Sequence, residues 1–339
     1  MVFPWGARSP VAGGQAATSK ASEAPERTAV AMDLRARYRG AMLGLAVGDA
    51  LGTTLEFAQQ GEYAPVFDLV GGGPHGLEPG QFTDDTSMAL CLADSLLACR
   101  GFDPEDQLRR YVAWWREGER SSTGRCFDIG NTTAQALRTF LGSPRPFCGS
   151  EDPETAGNGS IMRLAPVPLY FRQDPRAALH HAADSSRTTH GARAAVDSCR
   201  YLCALMLGAL GGDDKERLLA QRYEPWPGLW REAPLCPEVD AVAAGDYRSM
   251  RPPGIDGGGY VVASLRSALW AFMHGADYLG GLYLAVNLGN DADTTGAVYG
   301  QLAGAYYGES AIPQDWRRSV GRWADIAQVA DDLLDAASR

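Results

Sequence analysis

Apolar residues recur along most of the chain at the three- and four-residue spacing of amphipathic helices. Met88, Leu92 and Leu96 show the pattern clearly. No stretch keeps up the apolar–polar alternation that is typical of a half-buried strand. We therefore predict one all-α domain over residues 33–339, with many helices in a compact orthogonal packing. The predicted helices cover residues 33–57 (ending in an acidic elbow), 87–99, 104–116, 131–140, 175–184, 192–210, 260–274, 277–287 and 296–307, followed by terminal helices within 313–336.

Two of the predicted helices carry glycine at every fourth position. Because glycine costs about 1 kcal/mol in a helix relative to alanine, such rows favour close approach of another backbone. If the two rows face each other, Asp49 and Glu56 come near Asp291 and Asp293. The alternative is two unrelated glycine-rich helices. The rows are Gly40, Gly44, Gly48 and Gly52, and Gly296, Gly300, Gly304 and Gly308.

Two segments depart from the helical pattern. Residues 1–32 are rich in Ala, Ser, Gly and Pro and lack the apolar core of a signal peptide, so we predict a disordered N-terminal extension. Either translation starts at Met32, or the extension binds a partner. Residues 211–259 contain tryptophans, several prolines and a triple glycine, which predicts short helices joined by a long loop.

Composition narrows the function. The net charge of −10 and the pI near 5.0 argue against nonspecific nucleic-acid binding, which needs a basic surface. Seven scattered cysteines without CxxC spacing make a disulfide framework or a zinc site unlikely and favour a reducing cytoplasm. No uncharged apolar run approaches the roughly 20 residues of a membrane helix. We expect a cytoplasmic monomer that binds neither nucleic acid nor a membrane.

Two acidic clusters carry the chemistry. Residues 82–86 read Phe-Thr-Asp-Asp-Thr and residues 290–295 read Asn-Asp-Ala-Asp-Thr-Thr, and each precedes a predicted helix. Hard divalent cations prefer carboxylate and hydroxyl oxygens, so the two clusters could close around a metal pair. The alternative is helix capping, since Thr and Asp commonly satisfy the free N–H groups of a first turn. The matched contexts favour metal binding.

Two further loops are candidates for ligand contacts. Residues 157–159, Gly-Asn-Gly, permit unusual backbone angles and expose N–H groups that suit a phosphate, although a plain turn is more common. His190 follows two threonines and precedes a predicted helix. A histidine at such a position is more often a cap or a surface residue than a ligand.

Taken in order, five segments resemble the ADP-ribosylglycohydrolases, which include the dinitrogen-reductase-activating glycohydrolase. The resemblance runs from about Leu34 to the C-terminus, and only the joint occurrence of the motifs is specific. The Asp-x-Asp-Thr piece alone also resembles the nucleophile motif of haloacid-dehalogenase-type phosphatases, but that motif follows an early strand. The five segments are residues 40–52, 82–86, 157–163, 189–191 and 289–296.

The resemblance implies an all-α fold with two Mg²⁺ or Mn²⁺ ions in a cleft, and it implies roles for particular residues. Glu56 matches an acidic residue beside the metals, and Asp128 matches an acidic position next to the ribose. The implied metal ligands are Thr83, Asp84, Asp85, Asp291, Asp293 and Thr294. The implied substrate contacts are Gly157, Asn158, Gly159, Ser160 and Met162 at the diphosphate, with His190 and Tyr260 at the ribose and adenine ends.

The implied activity is metal-dependent removal of ADP-ribose from a modified protein side chain, most often arginine, by cleavage at C1″ of the distal ribose. The partner is then an ADP-ribosylated protein. Glu56 or Asp128 would serve as general acid or base, and the sequence does not divide these roles between them. The alternatives are a metal-dependent phosphohydrolase with Asp291 as nucleophile, and a non-catalytic ADP-ribose-binding relative.

Overall fold

Helices form almost the whole framework of residues 33–338, the part of the chain that the structure, a computed structural model, describes. Within these residues there are fifteen α-helices and four short 3₁₀ segments, and extended backbone pairs only in isolated bridges. The all-α prediction is therefore confirmed. The predicted disordered extension over residues 1–32 lies outside the described residues.

The helices cover the predicted segments with differences of a few residues at both ends, and the short helix at residues 166–170 was not predicted. They are α1 Leu34–Gly52, α2 Asp84–Cys99, α3 Pro104–Glu117, α4 Asn131–Gly142, α5 Pro166–Tyr170, α6 Pro175–Arg187, α7 Arg193–Gly211, α8 Lys215–Leu218, α9 Leu229–Glu232, α10 Pro237–Ala243, α11 Val261–His274, α12 Tyr278–Val286, α13 Ala292–Tyr307, α14 Gln314–Ser319 and α15 Trp323–Ala337. Residues 211–259 hold α8 to α10 and a 3₁₀ turn, as predicted.

Capping residues explain where several helices start. The Asp103 and Asp174 carboxylates accept backbone N–H groups of the first turns of α3 and α6, and a proline follows each of them. At the start of α4, Gly130 is the N-cap and Asn131 is already helical. Helices α2 and α13 begin earlier than predicted, so both acidic clusters lie in first turns.

The two glycine rows face each other, which confirms the predicted close packing of α1 and α13. Gly44 lies opposite Gly300, and Gly48 lies opposite Gly296, so the helices run antiparallel. A Cβ added at Gly300 would lie 2.6 Å from the Gly44 carbonyl carbon and closer still to its oxygen. Only glycine permits this approach.

The α1–α13 pair forms the centre of the core. Helices α7, α11 and α12 pack on α13, while α2 and α15 pack on α1. Tyr38 and Tyr299 are fully or almost fully buried beside the pair. The C-terminal end of α1 and the N-terminal ends of α2 and α13 meet at one end of this core, where the acidic clusters lie.

Helix α7 is the one described helix that is long and apolar enough to cross a membrane by length and composition alone. Of its 18-residue apolar window, 83% is buried inside the protein. Its side chains Asp197 and Arg200 form an ion pair with an oxygen–nitrogen distance of 2.7 Å. Burial on this scale is typical of a core helix in a globular fold.

Candidate active site

Asp49, near the end of α1, caps the neighbouring helix α2. Its carboxylate accepts the backbone N–H groups of Thr83 at 2.8 Å and of Thr86 at 3.0 Å, and also the Thr86 hydroxyl at 2.7 Å. Thr83, the N-cap residue, makes no capping bond with its own side chain. Asp49 therefore caps α2, so the side chains of the first acidic cluster are not needed for capping.

Where the two acidic clusters meet, there are more buried carboxylate oxygens than hydrogen-bond donors to pair with them. The Thr83 hydroxyl oxygen lies within 3.4 Å of oxygens on Asp49, Asp85 and Asp293, and its one proton can serve only one of them at a time. Asp85 Oδ1 and Asp293 Oδ1 are buried without a hydrogen-bond partner among the described residues. Buried oxygens of this kind normally have partners. An all-oxygen donor set with unpartnered buried oxygens is what a hard divalent cation requires.

Burial and mutual repulsion raise the pKa values of this group. Burial is the main cause for Asp49, whose pKa rises to about 6 although the Thr86 and Thr83 bonds oppose the shift. Burial likewise raises the pKa of Asp85 and of Asp293 well above the ordinary range, and neighbouring carboxylates add to the effect. Without a cation these acids favour their protonated forms.

The second cluster is joined to the glycine loop by Asn158. Its amide nitrogen donates to Asp291 Oδ2 at 2.8 Å and to the Ser264 hydroxyl at 2.9 Å. Asp291 is the N-cap residue of α13, yet its side chain makes no capping bond. The capping interpretation therefore fails for the N-cap side chains of both clusters.

A cavity of about 350 Å³ opens above these carboxylates. The predicted residues on its wall are Glu56, Asp84, Asp128, Gly157, Asn158, Gly159, Met162, His190, Asp291, Asp293 and Thr294. Thr83 and Asp85 are fully buried near it but do not line it. Ser160 points away and bonds the Ser186 hydroxyl at 2.8 Å. Tyr260 forms a backbone bridge with Gly157. Tyr260 is 44% exposed and does not line the cavity.

His190 is a buried wall residue, contrary to its interpretation as a surface histidine or cap. Burial, with Arg163 nearby, lowers its pKa to about 3, so the ring is neutral. Arg163 Nη2 donates to the Thr189 hydroxyl at 2.7 Å, which leaves the hydroxyl proton for His190 Nδ1 at 2.8 Å. This arrangement favours a proton on Nε2. A Cβ at Gly159 would lie 3.2 Å from that nitrogen, so glycine makes room for the ring.

Opposite the glycine loop, Glu56 and Asp128 share a histidine that the sequence analysis missed. His75 Nε2 lies 3.2 Å from Glu56 Oε2 and 3.3 Å from Asp128 Oδ1. Burial, followed by repulsion from Asp128, raises the pKa of Glu56 to about 9. Burial also raises the pKa of Asp128, while His75 opposes that shift. The three side chains form a second potential ligand or proton-transfer group.

Phe57 is another wall residue that the sequence analysis missed. It adopts a left-handed backbone with φ of 60°, and 69% of its surface is exposed at the cavity. A positive φ is unusual for an aromatic residue. Its backbone N–H donates to the Asn290 carbonyl at 2.6 Å, which ties the elbow after α1 to the second cluster.

The raised pKa values predict how the metal-free protein responds to pH. Unfolded Glu56 ionises near its ordinary pKa of 4.5, whereas the folded protein holds the proton until about pH 9. The unfolded state then binds fewer protons between these values, so stability falls as pH rises. In chelator, we expect the Tm to fall by about 5 °C between about pH 6 and about pH 8.

Differential scanning calorimetry measures this effect, with Glu56→Gln as the matched control that removes one titrating group. The control should show a shallower decline, and saturating Mn²⁺ should remove the decline because cations favour ionised carboxylates. A Tm in chelator that rises over this range would contradict the burial of uncompensated acids.

The fold and the cleft together define a class of protein. An all-α scaffold, an oxygen-rich acidic floor and a glycine loop in the cavity wall are suited to hydrolysis of a polar ligand with divalent cations. The particular family follows from comparison with known proteins. The chain belongs to the ADP-ribosylglycohydrolase family, whose family model matches residues 31–339.

Individual relatives agree with this membership. The ADP-ribosylarginine hydrolase Tri1 of Pseudomonas putida (strain GB-1) is 43% identical over 301 residues, covering 89% of this chain and 78% of that protein. The ADP-ribosyl-[dinitrogen reductase] glycohydrolase of Rhodospirillum rubrum is 32% identical over 325 residues, covering 89% and 96%. A solved structure titled ADP-ribosylglycohydrolase-related protein complex superposes with a TM-score of 0.79 at 45% identity, covering 90% and 99%.

The predicted family and the prediction of an enzyme that hydrolyses ADP-ribosyl bonds are thereby confirmed. The described residues also contain the acidic groups that such a metal-dependent enzyme needs.

Proposed function

We propose that the chain removes ADP-ribose from modified arginine side chains of a protein, using two divalent cations, Mg²⁺ or Mn²⁺. The observation that carries the proposal is the convergence of two acidic clusters, about two hundred residues apart, with Thr83 within 3.4 Å of Asp293. Arginine is favoured over other linkages because similar proteins from Pseudomonas putida and Serratia proteamaculans are named ADP-ribosylarginine hydrolases.

Both clusters would hold the cations, through Thr83, Asp84, Asp85, Asp291, Asp293 and Thr294. Asn158 fixes the orientation of Asp291, and Asp49 fixes the turn that carries Thr83. Support for this assignment comes from the unpartnered oxygens on Asp85 and Asp293. When bound, the cations supply positive charge that orients the ribose hydroxyls and makes a water molecule more acidic.

The remaining wall residues would hold the ligand and move protons. Most backbone N–H groups of the loop from Gly157 to Met162 donate to backbone carbonyls. The N–H groups of Gly159 and Ser160 would therefore bind the diphosphate, and neutral His190 would donate from Nε2 to the ribose side. Tyr260, exposed beside Gly157, would contact the adenine end. Ser160 points into the core and would support the loop rather than touch the ligand.

Glu56 and Asp128 would act as one proton-transfer pair. Without cations, burial and repulsion from Asp128 raise the pKa of Glu56 to about 9, so Glu56 binds a proton more readily than an ordinary glutamate, and the two carboxyl groups titrate as a coupled pair. Asp128 would accept a proton from the attacking water as the bond between C1″ and the guanidinium nitrogen breaks, and Glu56 would donate a proton to that leaving nitrogen. The transition state has oxocarbenium character, as in other glycosidic cleavages. His75, which lies between the two carboxyl groups, would hold them in position relative to each other.

Asp128→Asn tests this assignment. The amide keeps the size of the side chain but cannot accept the proton, so we expect turnover to fall by about 10²–10⁴-fold. ADP-ribose affinity, measured by calorimetry, should change little. Unchanged turnover would remove Asp128 from the catalytic pair, and an equal loss of ADP-ribose affinity would make it a binding residue instead.

The linkage is tested with protein substrates that carry ADP-ribose on arginine or on serine, each with Mg²⁺ and with Mn²⁺. We expect release of free ADP-ribose from the arginine-linked substrate, with the serine-linked substrate cleaved at least about tenfold more slowly. Preferential cleavage of the serine linkage, or release of inorganic phosphate instead of ADP-ribose, would contradict the proposal.

The cellular setting is part of the same proposal. All seven cysteines lie in the described residues and are free thiols, which suits a reducing cytoplasm. The enzyme would act as a monomer, and its partner would be an ADP-ribosylated protein.

A further inference from the structure

A second cavity, also of about 350 Å³, lies between α6, α7 and residues 226–233. Four arginines line it, namely Arg176, Arg187, Arg193 and Arg200. We name it the arginine groove. Its lining includes only two carboxylates, Asp197 and Glu232. The groove is therefore locally positive in a chain whose net charge is −10.

Two of the arginines are fixed by a single shared carboxylate. Arg193 Nε and Arg200 Nη1 lie 2.5 Å and 2.7 Å from opposite oxygens of Asp197. Their Nη2 atoms donate to the backbone carbonyls of Pro234 and Ala233. Two positive charges thus share one negative charge, and both guanidinium groups are held in place before any ligand arrives.

The other two arginines, Arg176 and Arg187, form ion pairs with separate carboxylates. Arg176 lies 3.3 Å from Glu232, but the two side chains are 67% and 57% exposed, so the pair contributes little. The Arg176 guanidinium covers the Trp226 ring at 4.7 Å from its centroid. Arg187 contacts Asp184 at 2.7 Å. A guanidinium offers five N–H donors in a planar fork, so each group can bind a further carboxylate.

The arginine groove borders the catalytic cleft. His190 lines the cleft, whereas Arg187 at the end of α6 and Arg193 at the start of α7 line the groove. His190 is three positions from each arginine along the chain, so the Cα atoms are at most about 11 Å apart. A chain segment that flanks the modified side chain could span this distance from the cleft to the groove.

We propose that the arginine groove binds an acidic segment of the ADP-ribosylated protein, next to the modified side chain. This inference rests on the proposed function. Arg176 and Arg187 lie eleven residues apart on α6, which corresponds to about 16 Å. That span matches about five residues of extended chain and exceeds a single phosphate. Arg176 covers one face of the Trp226 ring, so that face is not open to a nucleotide base.

The test uses two peptides that carry ADP-ribose on the same arginine and differ only in four flanking positions, Asp and Glu in one and Asn and Gln in the other. Free ADP-ribosylarginine serves as the small substrate. Wild-type enzyme should cleave the acidic peptide with a kcat/KM about tenfold above the neutral peptide, mainly through KM, and added salt should reduce the difference.

Arg176→Glu combined with Arg187→Glu should remove this preference and leave ADP-ribosylarginine cleavage unchanged. The matched control, Arg116→Glu with Arg318→Glu, makes the same charge change at exposed residues outside the groove and should keep the preference. Circular dichroism checks that both double variants fold.

Equal cleavage of the two peptides by wild-type enzyme would overturn the groove proposal while upholding the proposed function. Loss of the preference in the control variant would also overturn it, because net charge alone would then explain the effect. Binding of ADP that is lost in the groove variant, with no peptide preference, would make the groove a nucleotide site instead. Failure to cleave any arginine-linked substrate would reject both proposals.

Discussion

Replacing Asp85 or Asp293 with alanine is expected to abolish hydrolysis, lowering kcat/KM by at least about a thousandfold. Each residue is 2% exposed or less and carries a buried oxygen without a partner. Such an arrangement costs stability unless a cation balances the charge. Mn²⁺ affinity, measured by calorimetry, should fall together with activity.

The stability of these variants distinguishes a metal site from a structural one. Because burial raises the pKa of Asp85 and of Asp293, removing either acid should leave metal-free stability unchanged or higher. Exposed Asp335 serves as the control, since Asp335→Ala should change neither activity nor metal affinity. An Asp85→Ala variant that keeps wild-type turnover, or one that unfolds in chelator where wild-type does not, would contradict a cation-binding role.

Gly300→Ala is expected to give the largest loss of stability from a single added methyl group, more than about 3 kcal/mol. The new Cβ would lie 2.6 Å from the Gly44 carbonyl carbon, and backbone cannot move aside as a side chain can. Separating α1 from α13 would also displace Asp49 and Asp293. Urea denaturation should therefore show a lower midpoint, and metal affinity should fall with it.

Gly211→Ala is the matched control, because a Cβ at the end of α7 meets nothing within 4 Å. Its stability should stay within about 1 kcal/mol of wild-type. If Gly300→Ala were as stable as Gly211→Ala, the close contact between the two glycine rows would not be needed for the fold.

Local signals in the sequence were enough to predict the helical framework and the pairing of the glycine rows. Helical periodicity depends on neighbouring residues, and Gly40 to Gly52 recur at a spacing that only one helix face can provide. The start of α2 was predicted three residues late because its cap, Asp49, lies on another helix. A capping bond between distant segments leaves no local pattern.

The residues of the cleft were less evenly predictable. Clusters of Asp and Thr can be recognised in the sequence as potential cation ligands. Most of the predicted wall residues could therefore be found from sequence motifs. His75 could not, because it sits in a glycine-rich loop and meets Glu56 and Asp128 only through the fold. Ser160 shares a motif with Gly159 but points the other way, since the loop turns sharply between wall and core.

The proposed activity requires cations held jointly by the first turns of α2 and α13. Anomalous diffraction from crystals soaked in Mn²⁺ tests this most directly. We predict two peaks in the cleft, each about 2–2.5 Å from oxygens that include at least one from each acidic cluster. Manganese peaks that are absent from the cleft, or that contact the residues of one cluster alone, would contradict it.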